Sequence, residues 1–247
     1  MDQHNHQRLS QAECWDLGVR HRETLLQVYM ERNRLKHRPF LKNVIDDLLE
    51  DVQGVRLREE VLPLDTYAQT EFVAGRVEVS INSRISEIPG VKDSRGVAHV
   101  AKWHESIHVE HDRPLEQLRP RGLQDSLPGF TSEFPGIVVC RSDPGGTDSV
   151  PGREFRAENA GLAAAIALQD LERCEPYLEF KQVSADGGDI SSPGWGLLYD
   201  IAEAIGVNIS ALVKYFRQHG VLSVIDDHGK RRLIAATPLI GAEEWLR

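Results

Sequence analysis

The sequence predicts an α+β fold with a small antiparallel sheet, and three observations lead to this prediction. Apolar residues recur every three or four positions over residues 11–34, which is typical of an amphipathic helix. Residues 55–64 and 72–81 instead alternate apolar and polar side chains, as half-buried strands do. Residues 154–172 are rich in alanine, the residue that favours helix most strongly.

The first 54 residues are predicted to form a helical extension. The helix over residues 11–34 is followed by Pro39, which interrupts helical structure. A second amphipathic helix is expected over residues 40–52, because its apolar residues share one face and its acidic residues the other. Gly54 is a suitable position for this helix to end. The rest of the chain, residues 55–247, is expected to form one larger domain.

The two alternating stretches are predicted to be strands of the sheet. A helix is expected after them, from about residue 96 to residue 111, with Asp93 or Ser94 as its cap. Residues 111–153 are rich in proline and glycine, and a connection of this length is usually mobile or functional. We expect this connection to face the substrate and to contain one short strand, residues 136–140.

The C-terminal part of the larger domain is predicted to be helical and to end in a hairpin. Ser191 can cap a helix that has a proline in its first turn, and two helices are expected over residues 195–205 and 210–219. The final hairpin is expected to pair residues 221–226 with residues 232–236, around a turn at residues 227–229.

Composition narrows the classes of function. The chain has 38 acidic and 29 basic residues, a net charge of -9, which disfavours non-specific binding of nucleic acid. No apolar run is as long as a membrane span requires, and no signal peptide is recognisable. Its three cysteines are widely spaced, which is typical of reduced thiols. We therefore expect a cytoplasmic protein that does not insert into a membrane.

A His-Glu-x-x-His motif, His104 to His108, carries the chemistry. On a helix, residues four apart project from one face, so both imidazoles can reach a single zinc ion. Glu105 is rotated by about 100° from His104, where its carboxylate can accept a proton from water activated by zinc. Trp103 and Ile107 indicate that this helix is buried. His99 lies away from the ligand face and is expected to support a ligand or to lie at the surface.

The third metal ligand is expected on the alanine-rich helix. Its acidic residues are Glu154 and Glu158, one turn apart, and the less favoured Asp170 and Glu172. The small residues that follow Glu158 would allow this helix to pack closely against the helix that carries the two histidines.

These motifs resemble the ImmA/IrrE-type metallopeptidases, intracellular bacterial enzymes of the zincin class. That family has a His-Glu-x-x-His helix and a later helix with Glu-x-x-Ala-(Asn/Glu), which here is Glu154-Phe-Arg-Ala-Glu158. The segment 195–222 is similar to the family's helical tail, and the resemblance covers roughly residues 55–222. The family's Gly before the second histidine is Ile107 here, and the insert between the ligand helices is longer than usual.

The resemblance implies a zincin-like fold, a function and a set of site residues. Zinc would be held by His104, His108 and Glu154, with Glu158 as the reserve ligand and Glu105 as the catalytic base. The implied activity is that of a zinc endopeptidase acting on another intracellular protein, such as a helix-turn-helix repressor.

Two other classes of function stay open at this stage. One is a metal-binding sensor or interaction protein that cleaves nothing, although such a protein has no use for the base Glu105. The other is a DNA-binding regulator that uses the basic N-terminal helices or the helix pair within residues 195–221. The acidic net charge makes direct binding of nucleic acid the less favoured of the two.

Overall fold

A computed structural model describes residues 9–73, 76–118, 137–141, 152–184, 187–227 and 230–235. Within these residues the chain mixes helices with two small sheets, which confirms the predicted class of mixed α and β structure. The helices are α1 (Gln11–Asn33), α2 (Ile45–Asp47), α3 (Ser94–Leu118), α4 (Arg153–Ala165), α5 (Leu168–Glu172), α6 (Glu175–Val183), α7 (Ser192–Ile205) and α8 (Ile209–Gln218). The strands are β1 (Arg56–Glu60), β2 (Thr66–Val73), β3 (Arg76–Asn82), β4 (Ile137–Arg141), β5 (Gly188–Asp189), β6 (Leu222–Asp227) and β7 (Lys230–Ala235).

The first sheet has the strand order β1-β3-β2-β4, and it is mixed rather than antiparallel as predicted. Strand β2 runs antiparallel to both β3 and β4, but β1 and β3 are parallel. The chain reverses direction twice between β1 and β3, and two reversals restore the original direction. Alternation of side chains predicts strands but not their order, so this pairing was missed.

The sequence predicted two strands before α3, and the structure has three. The predicted strand over residues 72–81 begins at the end of β2 and continues into β3, and residues 66–71 were not predicted as a strand. On the polar face of β3, Ser80 is nevertheless fully buried, and it accepts a hydrogen bond from Arg58.

The N-terminal helix is confirmed, and the second one is irregular. Helix α1 begins with a capping box formed by Ser10 and Glu13, and it ends at Arg34, whose φ is +53°. Residues 41–52 combine a 3-10 turn, the single turn α2 and a π-helical turn, instead of one regular helix. The predicted apolar face is nevertheless buried throughout this segment. Packing against the core determines which side chains are buried, and the type of helical turn matters less.

Helix α3 is longer than predicted. Asp93 caps it by accepting a hydrogen bond from the backbone N–H of Gly96 at 3.0 Å. The helix continues through Pro114 to Leu118, although proline inside a helix removes one backbone hydrogen bond. The predicted strand in the following connection is confirmed as β4. Residues 119–136 and 142–151, most of the connection that we expected to face the substrate, lie outside the described residues.

The alanine-rich helix is divided into α4 and α5, contrary to the prediction of one helix over residues 154–172. Ile166 and Ala167 have extended backbone angles. The buried guanidinium of Arg22 donates to the carbonyl oxygens of Ala163 and Ile166, at 2.8 and 2.9 Å. It thereby satisfies carbonyl groups that a helix end leaves without partners. The local sequence does not predict this cap, because Arg22 lies 141 residues before Ala163 in the chain.

The C-terminal elements follow the prediction. Ser191 caps α7 and Pro193 lies in its first turn, α8 follows after the turn at Gly206, and β6 pairs with β7 as a hairpin. The predicted hairpin turn includes residues 228 and 229, which lie outside the described part of the chain. Within that part, no single helix is long and apolar enough to cross a membrane. Helices α7 and α8 reach the necessary length and apolar character only together, and the pair is bent by 103°.

One hydrophobic core joins the N-terminal helices to the sheet and to the later helices. Helix α4 lies at its centre, between α1 and α3. A Cβ atom built on Gly18 would lie 2.0 Å from the carbonyl oxygen of Ala160, so α1 and α4 are in backbone contact. The division of the chain at residue 54 stays a prediction, but the two parts share this core.

Candidate metal centre

The two histidines of the motif lie on the buried face of α3. His104 is 7% exposed and His108 is fully buried. Their Nε2 atoms are 3.0 Å apart, as expected for imidazoles one helical turn apart. Trp103 and Ile107 are also fully buried, as the sequence predicted. The buried face of α3 therefore brings two nitrogen ligands to one point.

Glu154 completes the group from the first turn of α4. Its Oε2 atom lies 3.2 Å from His104 Nε2, and its Oε1 atom lies 3.3 Å from His108 Nε2. One ligand atom from each of the three residues lies within 4.8 Å of the others, and the group could hold a metal ion. Burial opposes the charged form of Glu154, but hydrogen bonds to both histidines hold its pKa well below the usual range.

The approach of α4 to α3 depends on Gly161. A Cβ atom at this position would lie 2.8 Å from the Cα atom of His104 and 2.9 Å from its backbone nitrogen. Real Cβ atoms do not approach so closely, so only glycine permits this contact without displacement. The expectation that small residues let the two helices pack closely is therefore confirmed.

The structure does not bring the other candidate ligands to this group. Glu158 points away and accepts a hydrogen bond from Lys214 of α8, and its side chain is 47% exposed. Asp170 accepts a hydrogen bond from the backbone of Leu41. Glu172 is exposed beyond the end of α4. Of the four acids considered, Glu154 alone joins the histidines.

Glu105 is fully buried beside the two histidines, close enough for their charges to act on it. Thr70 of β2 donates a hydrogen bond of 2.5 Å to its Oε2 atom. Its Oε1 atom is buried and has no hydrogen-bond partner among the described residues. Burial raises the pKa of Glu105, and the nearby histidines and the Thr70 hydrogen bond oppose this increase. A buried oxygen of this kind needs a partner, and a water molecule or a metal ion can be that partner.

Asp112 contacts the group through His108, and the sequence did not predict this. Its Oδ2 atom lies 2.6 Å from His108 Nδ1, and both side chains are fully buried. Burial lowers the pKa of His108, but its hydrogen bonds to Asp112 and Glu154 raise it to about 9. The available signal was spacing, since His104, His108 and Asp112 recur every four residues on one helical face.

Thr70 was also missed. It lies on the buried face of β2 together with Thr66 and Ala68. A hydroxyl at an otherwise core-facing position of a strand was the available signal, because such a group needs a buried partner.

A polar cluster fixes the opposite side of α3. Ser106 donates to Gln53 Oε1 at 2.7 Å, and His21 Nε2 lies 2.7 Å from the Ser106 hydroxyl. All three side chains are buried, and burial lowers the pKa of His21 to about 4. The N-terminal segment thus holds α3 directly behind the metal ligands.

His99 does not lie at the surface. It is buried, and its ring donates a hydrogen bond to the backbone carbonyl of Ala165 at the end of α4. Burial lowers its pKa to about 4. The prediction that it lies off the ligand face is confirmed, while the expected surface position is wrong.

No protein-family model matches this chain, and no curated protein matches it either. The geometry of His104, His108 and Glu154 is therefore what indicates a possible metal site.

Proposed function

We propose that this protein is a zinc-dependent endopeptidase. One observation carries the proposal: two imidazole nitrogens and a carboxylate converge beside a buried carboxylate oxygen that has no hydrogen-bond partner in the described part of the chain. Two histidines and a glutamate are a ligand set that catalytic zinc sites use, and they leave a coordination position open. A purely structural zinc site is usually closed by a fourth protein ligand, which the described residues do not bring to this group.

The residues have separate tasks in this proposal. His104, His108 and Glu154 would hold zinc, which would act as a Lewis acid toward water and the scissile carbonyl group. Glu105 Oε1 accepts the proton of the attacking water and then passes it to the leaving amine. Thr70 holds the other oxygen of Glu105, so the carboxylate keeps one face toward the site.

The proposed substrate is another protein of the same cell, such as a helix-turn-helix repressor. This choice follows from the resemblance to ImmA/IrrE-type metallopeptidases, whose two motifs supply the residues that converge here. Repressor-like proteins encoded near this gene are the first substrates to test.

Exchange of Glu105 for glutamine tests the proposal. Glu105→Gln is nearly isosteric, but the amide cannot accept the proton, so cleavage should slow by about 10²- to 10⁴-fold. Zinc content should equal that of the wild type, since the three ligands are unchanged. Glu158→Gln, on the exposed side of α4, is the matched control and should cleave normally.

The same experiment separates the proposal from a metal-binding sensor. Cleavage by Glu105→Gln at the wild-type rate would contradict the role of Glu105. Zinc binding by both proteins without cleavage of any co-expressed candidate would favour the sensor.

DNA binding through α7 and α8 has less support. In a helix-turn-helix, the N-terminal residues of the second helix approach the bases. Here α3 contacts the residue that precedes this helix, because a Cβ atom on Gly96 would lie 2.4 Å from the backbone nitrogen of Asn208. Lys214, one of the few basic residues of α8, is paired with Glu158. Failure to shift labelled DNA at low salt would set this alternative aside.

A further inference from the structure

Asp112 lies one helical turn after His108 and is fully buried. Each of its carboxylate oxygens has a separate contact. Oδ2 lies 2.6 Å from His108 Nδ1, and Oδ1 accepts a hydrogen bond of 2.8 Å from Arg156 Nη2. The guanidinium of Arg153 is also near, with Nε 3.7 Å from Oδ1.

The contact with His108 decides which ring nitrogen faces the metal group. A carboxylate only accepts hydrogen bonds, so Nδ1 of His108 carries the proton and donates it. The other nitrogen, Nε2, is then directed to His104 Nε2 and to Glu154. Without an acceptor at Asp112, the ring loses the contact that fixes both its orientation and its tautomer.

The contact with Arg156 reaches the second ligand helix. Arg156 follows Glu154 by two residues in the first turns of α4. Its ion pair with Asp112 therefore joins the helix that carries His108 to the helix that carries Glu154. Because the arginine donates to one oxygen only, the other oxygen is free for His108.

We propose that Asp112 is a positioning residue of the metal centre, which holds His108 Nε2 toward the ion and is itself anchored by Arg156. The inference rests on the proposed function, because it requires that the group binds zinc. It assigns the residue a role that the His-Glu-x-x-His motif does not contain.

Zinc affinity, measured by competition with a chelator of known affinity, tests this role without a substrate. Asp112→Ala should weaken binding about 10- to 100-fold, as removal of such supporting partners does. Asp112→Asn should also weaken it, because one amide group cannot accept from both His108 and Arg156. If its NH₂ group faces Nδ1, it favours the tautomer whose Nε2 carries a proton. Circular dichroism of the metal-free proteins checks that each variant folds.

Two further variants separate orientation from simple support between helices. Arg156→Met removes the anchor but leaves the acceptor for His108, so its loss of affinity should be smaller than that of Asp112→Ala. Glu158→Gln removes an ion pair elsewhere on α4 and should bind zinc as the wild type does.

The outcomes distinguish the inference from the proposed function. Wild-type affinity, within twofold, in folded Asp112→Asn and Asp112→Ala would overturn the inference and leave the proposed function intact. If Asp112→Ala does not fold, wild-type affinity in Asp112→Asn alone overturns it. Equal losses of zinc affinity in Asp112→Ala and Arg156→Met would also overturn it, since Asp112 would then act only by joining the two helices. Absence of zinc binding by the wild type would contradict both the inference and the proposed function.

Discussion

At the residue scale, two side chains of the site, His108 and Glu105, each have one polar atom fixed and another left toward the centre. His108 is held through Nδ1 by Asp112, and Glu105 is held through Oε2 by Thr70. The atoms that face the centre, His108 Nε2 and Glu105 Oε1, are the ones that the proposed chemistry requires. Such pre-organisation lowers the cost of orienting a catalytic group during reaction.

Thr70→Val should slow proteolysis while leaving metal content unchanged. Valine has nearly the shape of threonine but cannot donate to Glu105, so the carboxylate loses the contact that orients it. Loss of a supporting hydrogen bond of this kind typically costs about tenfold or more in activity. The turnover rate and the zinc content are the two measurements. A variant that lost zinc along with activity would show that Thr70 supports the ligands and not the base.

His99 should make the protein less stable in mild acid. Its pKa is about 4 in the folded state, against 6.5 for an ordinary histidine, because burial opposes the charged imidazolium. Between these values the unfolded chain takes up a proton that the folded chain does not. The free energy of unfolding should therefore fall by about 3 kcal/mol from this group as the pH drops from 6.5 to 4.

Denaturant unfolding as a function of pH measures this contribution. In His99→Asn the amide can keep the contact with Ala165, but it does not titrate, so the decline in stability between pH 6.5 and 4 should be shallower than in the wild type. Parallel pH profiles for the two proteins would mean that His99 does not carry the proton difference.

At the element scale, the metal group depends on the contact between α3 and α4. The two histidines of α3 come together through local spacing, which the sequence alone shows. Glu154 joins them because α4 approaches closely, which Gly161 permits from two turns away. Spacing within α4 could not choose between Glu154 and Glu158, because the two residues are one turn apart.

Gly161→Ala should separate the two ligand helices. The added methyl group would overlap the backbone of His104, and overpacking of this kind costs roughly 1–3 kcal/mol of stability. Because Glu154 moves with α4, zinc affinity should fall as well. Gly196 of α7 provides the matched control, since a Cβ atom there meets nothing within 4 Å.

Chemical denaturation and zinc competition read out both effects. Gly196→Ala should be neutral, or more stable by up to about 1 kcal/mol, because alanine favours helix. Unchanged stability and zinc affinity in Gly161→Ala would contradict the close packing of α3 and α4.

At the scale of the whole molecule, the N-terminal helices support the metal centre from behind. His21 and Gln53 contact Ser106 of α3, and Arg22 caps α4. The sequence predicted these helices as an extension, because amphipathicity shows that a face is buried but not what covers it. These contacts join residues between 53 and 144 positions apart.

Local patterns predicted much of the fold, and long-range pairing explains the remainder. Periodicity predicted α1, α7 and the final hairpin, each of which is defined by contacts within a short stretch. The parallel pairing of β1 with β3 and the break after α4 depend on partners far along the chain. Asp112 was missed for a different reason: it lies beyond the end of the His-Glu-x-x-His motif.

Zinc content of the purified protein tests the central claim most directly. The wild type and Glu158→Ala should each carry about one zinc ion per chain. A His104→Ala His108→Ala double variant should carry none, and Glu154→Ala should carry much less than the wild type. Equal zinc content in the wild type and the double variant would contradict the account. Loss in Glu158→Ala with none in Glu154→Ala would place the third ligand one helical turn later.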